Sequence, residues 1–258
     1  MSTRGCWVYG VTDRDPGMES LTGVAGEPVR AARTGSLTAL VSDVDLDEFG
    51  ADALARNLED LDWLEQVARA HHHVIEAASR RLPVLPVGLT TVYSSEAGLA
   101  AAFREREQEF TDGLALVRDR AEWGVKAYAR REPARPEPAR TAPAGGKGSG
   151  LDYLKRRREQ LDTQRESRRD AAQAARDVHA ALADEAISTR LHPPQSPQLS
   201  GADTPMLLNA AYLLDRADGI GFSEAVAAVA DARPELRLEL TGPWPPYSFV
   251  GEPRESGS

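Results

Sequence analysis

With 258 residues, 41% of them hydrophobic and 28% charged, the chain has ordinary globular usage and enough length for one large domain or two modest ones. A formal net charge of -9 argues against global attraction to nucleic acid or to an anionic membrane. The single cysteine, Cys6, excludes an intrachain disulfide and suits a reducing cytosol. The opening MSTRGCWVYG has no signal-peptide pattern and no run approaches the roughly 20 apolar residues of a membrane span, so a cytoplasmic protein is expected.

Residues 6–11 (CWVYGV) predict a short buried strand, closed by the turn-rich TDRDPG. Residues 29–33 and 37–44 (LTALVSDV) predict two more strands, joined by a TGS hairpin loop. The polar stretch 45–57 reads as irregular or briefly helical. Leu61, Leu64, Ala68, His71, Ile75, Ala78 and Leu82 recur at spacings of three and four, the stripe of an amphipathic helix that Pro83 ends. Residues 84–93 (VLPVGLTTVY) are extended. Ser94 or Ser95 caps a further helix, with Leu99, Phe103, Phe110, Leu114 and Val117 on its buried side. Residues 123–129 (WGVKAYA) are the last strand of this half. Strands interleaved with helices that cover one face predict a ferredoxin-like α/β sandwich over residues 1–130, within an overall α+β class.

Residues 131–150 (REPARPEPARTAPAGGKGSG) have a linker's Pro, Ala and Gly content. A C-terminal α+β domain is expected over 151–250. It starts with a long charged helix over 151–187, whose seam of Leu154, Leu161, Ala172, Ala175, Val178, Leu182 and Ala186 is interrupted. A break at HPPQSPQ leads to an apolar strand over 206–214, a helix over 222–232 and an alternating strand at 236–240 (LRLEL). Residues 251–258 are expected to be a disordered tail.

Catalytic patterns are scarce. Adjacent side chains on a helix diverge by about 100°, so His71, His72 and His73 cannot close on one ion; His71 belongs in the helix's core seam and the other two at its edge. GGKGSG has Thr141 where a phosphate-binding loop needs its first glycine. No GxSxG is present for a serine hydrolase, and Cys6, inside an apolar strand without an evident basic neighbour, reads as structural. Acidic pairs such as Glu59/Asp60 and Asp43/Asp45 read as solvated. The basic run 155–158, with Arg165, Arg168 and Arg169, is interleaved with acids at helical spacing and points to intrahelical pairs rather than nucleic acid. No cofactor or metal site is expected. The alternative kept open is a metal-dependent small-molecule enzyme using the His71–His73 helix.

The C-terminal LTGPWPPYSFV concentrates Trp244, Tyr247 and Phe249 among Pro243, Pro245 and Pro246, in a chain that is only 6% aromatic. Prolines preset the backbone, so rings held this way can seal a core or stand ready for a partner. These three residues are the candidate interdomain or partner contacts. At a domain seam, Trp244→Ala would cost about 3 kcal/mol or more.

Several blocks in this order carry a resemblance to a known family: WVYGV, LTALVSDV, the His-containing helix into VLPVGLTTVY, EWGVKAYA, LLNAAYLLDRA and LRLELTGPWPPYSFV. Together they resemble the GvpF/GvpL family of gas vesicle proteins across nearly the whole chain. Gly88 stands where that family often has a basic residue. The resemblance implies a non-enzymatic accessory protein of structure or assembly, located at gas vesicles. It implies as partners the shell protein GvpA and other accessory Gvp proteins, with no nucleic acid and no membrane. It also implies a ferredoxin-like N-terminal domain followed by an α+β domain with a long helical segment.

Overall fold

In a computed structural model that describes residues 4–130, 149–196 and 204–250, the CWVYGV run lies in strand β1 (Arg4–Thr12), buried from Gly5 onward. β1 pairs antiparallel with β3 (Leu37–Asp45) on one side and with the short β4 (Leu85–Pro86) and β5 (Val92–Tyr93) on the other. β2 (Arg30–Thr34) pairs with β3 and completes the sheet. An unbroken apolar strand calls for cover on both faces, and the sequence supplies it.

On one face Trp7, Tyr9, Leu40 and Val44 pack with Phe49, Val67, Val74, Ile75 and Ala78. These come from α1 (Leu46–Phe49) and α3 (Leu61–Ser79); α2 (Ala51–Asn57) adds Leu54. On the other face Val8, Val11, Ala39 and Val41 meet Leu99 and Phe103 of α4 (Glu96–Glu105) and Phe110, Leu114 and Val117 of α5 (Glu107–Val117). A register shift between Val8 and Gly10 lets Val8 and Val11, three residues apart, serve the same layer. Helices therefore cover both faces of this sheet, where the sequence pattern suggested one.

The buried face of α3 is Val67, His71, Val74, Ile75 and Ala78. It is turned by one residue from the expected stripe at its start, so Leu61 is exposed and Val67, not Ala68, enters the core. The two presumed solvated acidic pairs do structural work. Asp45 and Asp60 accept backbone N–H groups as N-caps of α1 and α3, and Asp43 pairs with Arg30 at 2.8 Å. Ser95 caps α4 as expected, accepting from Gly98 N at 3.1 Å. Arg106 divides the expected single helix into α4 and α5.

A second sheet has the order β7-β8-β6-β9, with β6 (Arg120–Ala129), β7 (Ser188–Leu191), β8 (Met206–Asp215) and β9 (Leu236–Trp244). β6, expected as the last strand of the N-terminal sandwich, sits in this sheet instead. Its Tyr128 is buried with the Arg237 guanidinium over the ring, 4.4 Å from the centroid. The long helix α6 (Ser149–Ala183) buries Ala171, Ala174, Ala175, Val178 and Leu182. Leu161 of its expected seam is 41% exposed. The second half of α6 is thus anchored through an apolar face. The last helix, α7 (Gly219–Ala232), brings Phe222 against Trp123 and Tyr212, with ring centroids 6.3 and 5.3 Å apart. A Cβ at Gly219 would come within 2.8 Å of the Trp123 ring, so the close approach of helix to strand depends on glycine.

The chain is an α+β protein that divides into two compact units. Of the described residues, the first unit takes 4–122, Leu213–Arg216 and 242–250, and the second takes Trp123–Tyr212 and Ala217–Thr241. This division runs differently from bounds of 1–130 and 151–250: β6 from Trp123 goes with the second unit and the C-terminal segment with the first. The expected linker, apart from Ser149 and Gly150 at the start of α6, and the expected tail lie outside the described residues. Among the described residues no helix is long and apolar enough to cross a membrane.

Candidate interaction surface

The aromatic segment begins as a continuation of β9, which runs on past LRLEL to Trp244. Gly242 has φ of +122°, a backbone that L side chains rarely adopt, and the Gly242–Pro243 bond is cis. A short 3-10 turn follows at Tyr247–Phe249, held by Tyr247 N donating to Pro245 O at 2.8 Å and Phe249 N donating to Pro246 O at 3.2 Å. Ser248 locks the turn in place. Its N–H and its hydroxyl donate to the two carboxylate oxygens of Glu122, each at 2.7 Å. Charge-assisted bonds of this kind are the stronger ones.

The three rings have separate fates. Phe249 is 4% exposed and buried, Trp244 is 44% exposed and Tyr247 36%. Both half-open rings meet His72 of α3. Tyr247 stacks on the imidazole at 5.9 Å with its hydroxyl 2.9 Å from Nδ1, and Trp244 meets it edge-on at 5.8 Å. These contacts are internal to the first unit. Burial of the hydroxyl, followed by the nearby Glu122 and Glu76 carboxylates, pushes the Tyr247 pKa well above the ordinary tyrosine range. Tyr247 therefore stays neutral and available as a donor.

With nearly half its surface already in water, Trp244 has less to lose than a core ring. Trp244→Ala is expected to cost about 1–2 kcal/mol, not 3 or more. Urea unfolding of the variant against wild type checks this, and a loss above about 3 kcal/mol would show that the ring is buried in solution.

The histidine run separates as its helical spacing requires. His71 is 3% exposed. An indole N–H can only donate, so Trp7 Nε1 donates to His71 Nδ1 at 2.9 Å, which leaves Nε2 protonated and donating to Val87 O at 3.3 Å. Both ring nitrogens are engaged, and neither offers a lone pair to a metal. Burial, aided by neighbouring His72 and opposed by the Val87 bond, lowers the His71 pKa to about 4. His72 turns to the aromatic segment and His73 to solvent. Among the described residues, no group of three or more His, Cys, Asp or Glu side chains is placed to hold a metal ion. Cys6 does have a basic neighbour, Arg30 Nη2 at 3.8 Å, but burial outweighs it and raises the thiol pKa.

His72, Glu122 and Ser248 are the parts of this surface that the sequence did not reveal as a group. Glu122 stood just before a predicted strand and Ser248 hid between two rings. Only a pairing of residues more than 120 positions apart connects them.

A family model described as gas vesicle synthesis protein GvpL/GvpF matches residues 5–251. Gas vesicle protein L of Streptomyces sp. is 38% identical over 247 residues, covering 95% of this chain and 92% of that protein. Gas vesicle protein F of the same organism is 28% identical, covering 95% of this chain and 98% of its own length. The crystal structure of the gas vesicle protein GvpF from Anabaena sp. superposes with a TM-score of 0.66 at 17% identity, covering 99% of both chains.

Proposed function

The chain belongs to the GvpL/GvpF gas vesicle synthesis family, and from that membership we propose that it works by binding the shell protein GvpA and other accessory gas vesicle proteins while vesicles form. Its role as a gas vesicle accessory protein follows from the family itself. The finer reading is that it acts through protein contacts, without chemistry of its own, on the apolar shell subunit. It would do so in the cytoplasm and at the vesicle.

The observation that carries this reading is the C-terminal segment. Trp244 ends β9 and Tyr247 opens the turn that Glu122 holds through Ser248, with prolines between them, and each ring keeps about a third or more of its surface in water. Preorganised, half-open aromatic rings lose little entropy on binding and are common anchors of protein interfaces.

Co-expression with GvpA, alone and together with the other accessory proteins, followed by affinity purification of this chain, tests the reading. Wild type is expected to retain GvpA, and Trp244→Ala with Tyr247→Ala to retain markedly less while keeping a cooperative unfolding transition. Failure of the wild-type chain to retain any gas vesicle protein would sink the proposal. The metal-enzyme alternative gains nothing from the geometry, because His71 is committed to Trp7 and Val87.

A further inference from the structure

A cleft of about 390 Å³ opens in the first unit, beside the aromatic segment, and Pro246 forms part of its wall. Four arginines line it: Arg80 and Arg81 just after α3, Arg120 from the start of β6, and Arg216 just after β8. Val84, Val117 and Pro246 give it an apolar floor and side. Asp119 also lines it, so four cationic residues stand against one acidic residue in the lining, a local reversal of sign in a chain of net charge -9.

The four are not equivalent. Arg80 is paired with Glu76 at 2.6 Å, and Arg120 with Asp215 at 3.1 Å. Arg81 and Arg216 are held by neutral backbone carbonyls. Arg81 Nη1 donates to Pro16 O at 2.8 Å and to Gly17 O, and Arg216 Nη2 donates to Ser79 O at 3.4 Å, at the carbonyl end of α3. Arg216 N is further fixed by Asp119 O at 2.9 Å. Each guanidinium has five N–H donors, and these bonds use one nitrogen of each. The two side chains therefore line the cleft with no carboxylate bonded to either among the described residues.

We propose that this cleft seats an acidic peptide segment of a partner gas vesicle protein, with carboxylates paired to Arg81 and Arg216 and their aliphatic stems on Val84, Val117 and Pro246. The proposal rests on the reading that this chain acts by binding such proteins. Guanidinium forks match carboxylates in shape as well as charge. The apolar wall favours a side chain over a bare oxyanion. A cationic cleft on a chain of net negative charge also sets the orientation of an acidic partner.

The full-length chain is titrated into a fluorescein-labelled hexaglutamate peptide and, separately, a hexaglutamine peptide, and anisotropy is read. Hexaglutamate is expected to bind at least about 10-fold more tightly, and to weaken as salt is raised. The double variant Arg81→Gln/Arg216→Gln should lose on the order of 10-fold or more in hexaglutamate affinity. Arg69→Gln, on the exposed face of α3, should lose little. If the glutamine pair does not fold, Arg81→Lys/Arg216→Lys replaces it: charge is kept, the fork is lost, and binding should fall several-fold. Equal binding of the two peptides, or wild-type hexaglutamate binding by a folded double variant, overturns the assignment. So does displacement of the peptide by inorganic phosphate at concentrations where sodium chloride of equal ionic strength has no effect, which would make the cleft a free-oxyanion site. Capture of gas vesicle proteins is scored apart. Capture undiminished in the double variant removes the cleft from the interface and leaves the proposed function standing. Loss of capture by wild type removes the function, and the peptide comparison still decides the chemistry of the cleft.

Discussion

Trp7→Ala is expected to lower stability by about 3–5 kcal/mol, a large share of the roughly 5–15 kcal/mol that holds a typical domain together. Trp7 is fully buried in the middle of β1. Phe49 packs edge-on against it at 5.7 Å and His71 at 5.9 Å. Truncation removes the largest side chain of that layer and leaves a cavity between sheet and helix that rigid neighbours cannot fill. It also takes the indole N–H away from His71 Nδ1, stranding a buried acceptor. Urea unfolding followed by circular dichroism measures the loss. Trp63→Ala, at a partly exposed ring that meets Phe49 at a tilt with centroids 5.6 Å apart, should cost clearly less. Equal costs at the two sites would contradict this packing.

The second large effect is a loss of stability in mild acid that passes through His71. In the unfolded chain this imidazole titrates near 6.5, and in the folded chain at about 4. Between those two values the unfolded state binds the extra proton, so stability falls as pH falls through this window. Above about 6.5 both states are neutral and the contribution is fully present; below about 4 both are protonated and nothing further is lost from this group. The gap corresponds to about 3 kcal/mol. His71→Gln keeps an acceptor for Trp7 and a donor for Val87 but cannot titrate. Between pH 7 and pH 4.5, wild type should lose about 2–3 kcal/mol more than this variant, carboxylates contributing alike to both. Parallel loss in the two chains would show that His71 is not held neutral.

How much of this could be read from the sequence depends on the range of the interaction. Local periodicity carried β1, β3, α3 and the buried sides of α4 and α5, because each face is written within a few turns or a few alternations. The family blocks carried the α+β class and the gas vesicle role. Sheet membership was not local: β6 has strand alternation whichever sheet it joins, and its pairing in the β7-β8-β6-β9 sheet depends on residues more than 70 positions away. The rotation of the α3 face arose because Leu61 and Val67 are both apolar, and only the packing against Trp7 and Tyr9 chooses between them. Asp45 and Asp60 looked like solvated acids because a cap and a surface charge use the same residue type. At the C-terminus the rings were visible as a group, but their division into one buried and two half-open side chains follows from the Glu122 clamp on Ser248, which no short window contains.

The C-terminal segment that carries Trp244 also constrains how the protein is made. Residues 242–250 belong to the first unit, as do Leu213–Arg216, whereas Trp123–Tyr212 and Ala217–Thr241 form the second. On a ribosome the first unit therefore waits, with its sheet assembled and the site of Phe249 uncovered, while roughly 120 further residues are added. At ordinary rates of translation that delay is on the order of ten seconds. The second unit is made of two segments, each followed in sequence by residues of the first. Nascent chains stalled before Gly242 would expose the apolar ground that Phe249 and Val250 later cover, and this half-made form is the one most open to aggregation.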